Sequence, residues 1–155
     1  MIWRFSMKRA KSYGSHQDIV LRAHIELSRS LTKIRAKETT WLAERDLTLP
    51  QFGILESLYH LGRLTVGQIT TLTLSTPGNI TVVIKNLESK GLISMRPSDE
   101  DRRIKLLEIT EKGSMMIQSI FPNHVENLIG WYDKALSEEE VKTLSHLLRK
   151  LEKAQ

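Results

Sequence analysis

Cysteine is absent from the 155 residues, which excludes disulfides, cysteine-ligated zinc and any thiol redox switch in this chain. No apolar run approaches the ~20 residues that a membrane span needs. The basic residues near the start are followed by no apolar stretch or small-residue cleavage site of the secretory kind. The expected location is therefore the cytoplasm, with no membrane partner. No G-x-G-x-x-G, Walker loop or G-x-S-x-G occurs. The five histidines, His16, His24, His60, His124 and His146, stand in no H-x-x-x-H or H-E-x-x-H pair. The acidic "SDED" lacks the glycine and distal glutamate of an EF-hand loop. The sequence thus predicts no catalytic residue, no metal site, no cofactor and no enzyme.

Basic charge is present, +5 overall, but unevenly placed. Of the 23 basic residues, Arg4, Lys8, Arg9 and Lys11 lie within residues 1–15 without an acid, leaving 19 basic against 18 acidic residues beyond them. Residues 1–15 read as a basic leader, a disordered arm or an extension. Bulk charge is a poor guide here, and residues 46–112 balance at eight basic and eight acidic.

Apolar spacing predicts a mainly α chain. From 16 to 44, Val20, Leu27, Ile34 and Trp41 recur every seven residues, with Ala23 and Leu31 widening the stripe. Such a helix cannot bury its stripe against itself and needs another surface. Three short helices follow. "TLPQ" and "TVGQ" carry the Thr-x-x-Gln capping pattern, and "STPG" offers Ser75 or Thr76 as cap with Pro77 in the first turn. In the third helix Ile80, Val83, Ile84 and Leu87 fall at i, i+3, i+4 and i+7, and Gly91 suits a left-handed C-cap. "LISMR" and "RIKLLEI" around "PSDED" read as a β-hairpin. A second long helix is expected at about 114–135, and Ser137 with Glu140 announces a last one.

Helix–turn–helix followed by a two-stranded ribbon is the winged-helix plan for binding DNA. With the apolar stripe inward, the third helix turns Asn79, Thr81, Val82 and Lys85 outward, with no acid before Glu88. Asparagine reads adenine, threonine and valine meet a thymine methyl, and lysine reaches guanine or phosphate. Thr76 stands at the helix start, where backbone amides suit a phosphate. In the ribbon loop, Arg102 and Arg103 are expected to meet the minor groove or phosphates. Asp101 is expected to orient Arg103, with strand alternation sending Arg102 elsewhere.

Residues 47–113 resemble the winged-helix core of the MarR family of bacterial transcription regulators. The wing reads Asp101-Arg102-Arg103 and then Ile109-Thr110-Glu111-Lys112-Gly113, similar to the family's Asp-x-Arg and Leu-Thr-x-x-Gly with Ile in place of Leu. "LSEEEVKTLSHLLRKLEK" resembles the closing helix, so the likeness spans about 16–153.

The resemblance implies an effector-responsive repressor, homodimeric through residues 16–44 and 114–155. Its winged helix-turn-helix lobe at 45–113 would bind a pseudo-palindromic operator in double-stranded DNA. It also implies a small-molecule effector, aromatic or anionic, in a crevice for which His24, Trp41, Phe52 and Tyr59 are candidates. Many relatives carry Arg at the position of Val82 and an Asp-Arg pair at Lys85-Asn86, so base preference does not transfer. Two other readings remain: a winged-helix protein-interaction module without specific DNA binding, and a zinc-responsive regulator.

Overall fold

A computed structural model describes residues 11–73 and 76–154. Arg4, Lys8, Arg9 and Ser75 lie outside the described residues. Two compact units emerge, Met1–Leu49 and Pro50–Gln155.

The first unit is dominated by α1 (Ser15–Ala43), 29 residues long. Of the leader, residues 11–14 are described, and they turn onto the helix start. Ser12 Oγ donates to Asp18 Oδ2 at 2.6 Å and the Tyr13 amide to Oδ1 at 3.2 Å, placing a carboxylate in the positively polarised first turn. Leu42 alone is buried within the helix, while Val20, Leu27 and Leu31 of the predicted stripe stay exposed and Ile34 and Trp41 are half-buried.

The second unit begins with α2 (Leu49–Leu61) as its range runs across the boundary, then β1 (Leu64–Thr65), α3 (Val66–Leu72) and α4 (Pro77–Ser89). Thr65 Oγ1 accepts from the Gln68 amide while the Gln68 side chain accepts from the Thr65 amide, the reciprocal cap expected of "TVGQ". Thr76 caps α4 in turn. The stripe of α4 is buried as spaced: Ile80 1%, Val83 7%, Ile84 4% and Leu87 0% exposed. Each such side chain contributes at most about 1.5–3 kcal/mol of hydrophobic stabilisation, which fixes which face α4 turns inward. Gly91 ends the helix at φ +69°, and the Leu92 amide closes back onto the Leu87 carbonyl at 3.0 Å.

The ribbon consists of β2 (Ile93–Pro97) and β3 (Lys105–Ile109), paired antiparallel from Ile93↔Ile109 to Pro97↔Lys105. Here the structure corrects the sequence reading twice. The sheet has three strands, ordered β1-β3-β2, because Leu64 and Thr65 pair with Leu107 and Leu106. Two residues are too few to show a period, so spacing did not reveal them. Arg102 and Arg103 also lie in a turn, closed by the Ile104 amide on the Asp101 carbonyl at 2.9 Å, and not on a strand. Strand alternation therefore does not separate the two arginines.

Helix α5 (Glu111–Tyr132) starts three residues earlier than spacing suggests, because Thr110 Oγ1 accepts from the Gly113 amide and caps it. Gly113 sits so close to β2 that a Cβ there would overlap the Leu92 carbonyl. Helix α6 (Glu138–Glu152) opens on the Ser137–Glu140 capping box and buries no residue. Among the described residues no helix is long and apolar enough to cross a membrane.

Candidate nucleic-acid interface

The surface of α4 opposite its buried stripe presents Asn79, Thr81, Val82 and Lys85, all exposed, with Val82 at 57%. A β-branched apolar side chain held in water on a polar face is a poor solvated-surface choice but suits a thymine methyl. Glu88 is the one acid on the helix and its penultimate residue. Thr76, also exposed, is committed locally: its hydroxyl accepts from the Asn79 amide at 3.4 Å. Of the amides at this helix start, that of Asn79 is thus already taken, which narrows the site expected for a phosphate.

The turn after β2 holds Arg103 in a fixed geometry. Arg103 Nε donates to Asp101 Oδ1 at 3.1 Å and Nη2 to Oδ2 at 3.0 Å, while the Arg103 amide donates to Oδ1 at 2.9 Å. These bonds, the side-chain pair first, hold the Asp101 carboxyl below the usual carboxylate range, and they raise Arg103 in turn. The Arg103 side chain remains 90% exposed. Asp101 therefore orients Arg103 without hiding it. Arg102 is exposed on the same turn.

A network that spacing did not reveal braces the sheet behind this turn. Glu108 on β3 pairs with Arg63 beside β1 at 2.9 Å and approaches Arg96 on β2 at 3.8 Å. Arg96 also meets Asp99 at 3.6 Å. Asp99 is thus a partner of Arg96. Finding these pairs requires the strand register, which residue types alone do not supply.

The four effector candidates divide between the two units. His24 is exposed on α1, and Trp41 is half-buried near its end with the Arg45 guanidinium 4.1 Å above its ring. On α2, Phe52 is 2% exposed, its ring edge-on to His124 at 4.8 Å, and Tyr59 is half-buried with its ring 5.1 Å from that of His60. His60 in turn stacks edge-on to Phe121 at 4.6 Å. This imidazole–aromatic cluster of α2 and α5 was not visible in the sequence, where the residues lie some sixty positions apart. Burial pushes the His124 imidazole down. Among the described residues no three His, Asp or Glu side chains group as a metal site.

Comparisons with known proteins agree with this architecture. The MarR family model matches residues 47–105. The HTH-type transcriptional regulator MhqR of Bacillus subtilis is 35% identical over 131 residues, 84% of this chain and 90% of MhqR. The structure of S. aureus MepR in its DNA-binding conformation aligns with a TM-score of 0.69 and 27% identity, over 85% of this chain and 98% of that one. A mutant MarR from E. coli complexed with operator DNA shares the fold, at TM-score 0.78 and 22% identity over 89% and 99% of the two chains.

Proposed function

Because the chain belongs to the MarR family of transcription regulators, we propose that it is a cytoplasmic, effector-responsive repressor that binds a pseudo-palindromic operator as a homodimer. The observation that carries the reading is the outward face of α4, acid-free until Glu88, in the same unit as an exposed arginine locked by Asp101.

In this reading α4 lies in the major groove, where Asn79, Thr81, Val82 and Lys85 meet base edges and Thr76 caps the helix end that approaches the backbone. Arg102 and Arg103 track the minor groove or phosphates beside it. The exposed leucines of α6, Leu147 at 55%, Leu148 at 37% and Leu151 at 52%, support a second copy as partner. A helix with an apolar stripe gains little by leaving it in water. The exposed stripe of α1 supports the same reading independently. Two-fold symmetry then sets the half-sites about one helical turn apart.

Effector response requires an aromatic or anionic ligand that binds the operator-competent and released states with unequal affinity. Of its four candidate residues, His24, Trp41 and Tyr59 keep accessible surface, while Phe52 is sealed and reachable only if its surroundings open.

The test is a mobility shift on DNA upstream of the chain's own gene, at stated salt, with excess random competitor. Retention of the specific complex is expected. Loss of it to competitor would favour the second reading, a protein-interaction module, for which the balanced charge of residues 46–112 speaks. Abolition by a chelator and restoration by zinc would favour a zinc-responsive regulator instead.

A further inference from the structure

Lys112 is an exposed lysine near the wing, and its natural reading in a DNA-binding lobe is a phosphate contact. Its ammonium is directed elsewhere: Nζ donates to the Lys90 carbonyl at 2.7 Å. Lys90 is the C-cap of α4. The two carbonyls that follow are taken from the same place, with Thr110 Oγ1 donating to the Gly91 carbonyl at 2.8 Å and the Thr110 amide to that of Leu92 at 3.1 Å. Gly113 lets the chains approach, since any side chain there would collide with the Leu92 carbonyl. Three successive carbonyls at the end of α4 are thus held by the cap and first turn of α5.

The chemistry suits the position. The last carbonyls of a helix lack partners within it and carry the negative end of its dipole, which a cation offsets. Helix α4 has no basic residue in its own last turn. Lys112 supplies that cation from another element. We propose that Lys112 is a positioning residue that pins the C-terminal end of the recognition helix to α5 and neutralises no DNA phosphate. The assignment rests on the reading of α4 as the recognition helix. It gives Thr110, Lys112 and Gly113 a common task, fixing the angle at which α4 leaves the lobe.

Lys112→Met keeps the aliphatic stem and removes the donor. Fluorescence anisotropy on the operator across a salt series is expected to show affinity weaker by about two- to tenfold, the scale of one net hydrogen bond. The slope of log affinity against log salt stays unchanged. A slope flattened by ~1 would make Lys112 a phosphate contact and overturn the proposal. Unchanged affinity would overturn it too. A second measurement needs no DNA: amide exchange at Lys90 and Gly91, whose N–H groups bond to the Asn86 and Glu88 carbonyls, is expected to accelerate in the variant. Unaltered exchange refutes the clamp. If the wild-type protein itself shows no operator preference, the DNA reading fails while the exchange result still decides whether the clamp exists.

Discussion

Asp101 grips Arg103 with both carboxylate oxygens, Nε to Oδ1 at 3.1 Å and Nη2 to Oδ2 at 3.0 Å, on a turn where the Arg103 side chain is 90% exposed. An exposed pair of this kind adds little stability, because water and salt screen it and two side chains must be ordered. Its consequence is geometric. A side chain with several free torsions is presented in one orientation, so less entropy is lost when it meets a partner.

Replacing Asp101 by Ala is therefore expected to weaken operator binding with no material change in unfolding midpoint, although it removes a negative charge near a polyanion. Tighter binding by the variant in a titration would mean that the acid acted only by repulsion. The pair also has a defined pH window. Asp101 is depressed when folded, so its contribution is present above its unfolded pKa and is lost as pH falls through the lower folded value. NMR of the Arg103 Nε–H should show the bond intact across neutral pH and opening only below the usual carboxylate range.

Arg103→Ala is expected to lower operator affinity and flatten its salt slope by ~1, if the guanidinium neutralises one phosphate. Arg102→Ala, measured in parallel, separates the two arginines of the turn. A variant with wild-type affinity and slope would remove that arginine from the contact surface.

Gly113→Ala and Gly91→Ala should differ in cost. At Gly113 the added methyl meets a backbone carbonyl and the Ile109 side chain, which cannot both yield cheaply. A loss of about 1–3 kcal/mol is expected. At Gly91 the space is open and only the positive φ is unfavourable, for about 1 kcal/mol. Urea denaturation compares them, and a Gly113 variant as stable as wild type would show that the close approach is not constrained.

His124 should make stability sensitive to mild acid. Burial lowers its folded pKa, so below the unfolded value of about 6.5 the unfolded chain takes up a proton that the folded chain refuses. Stability is full above that value and falls as pH drops towards the folded pKa. In His124→Gln the urea midpoint should depend less on pH across this window. An equal dependence in both proteins would assign the effect to another group.

Much of this molecule was legible because its signals are local. The caps at Thr65, Thr76 and Ser137, the stripe Ile80–Val83–Ile84–Leu87 and the glycine stop at Gly91 each need only a few neighbouring residues to be satisfied. The MarR likeness rested on the same local patterns, and so did the outward set Asn79, Thr81, Val82 and Lys85, which follows once the inward stripe is known. The Asp101–Arg103 pairing spans two residues and could be anticipated from spacing.

What escaped needed partners distant in the chain. The strand at Leu64–Thr65 exists only because β3 offers it a ladder some forty residues on. The Arg63–Glu108 and Arg96–Glu108 approaches depend on the register of three strands, and the Phe52–His124 contact on packing of α2 with α5. Lys112 is the sharpest case. The Lys90 carbonyl became its partner only when the hairpin brought residues 22 positions apart together. Helix ends and faces were set by short-range hydrogen bonding and hydrophobic period. The assignment of charged side chains far apart in the chain to one another, such as Arg63 and Glu108, was left to tertiary structure, because such a pair depends on distance in space that sequence spacing does not encode.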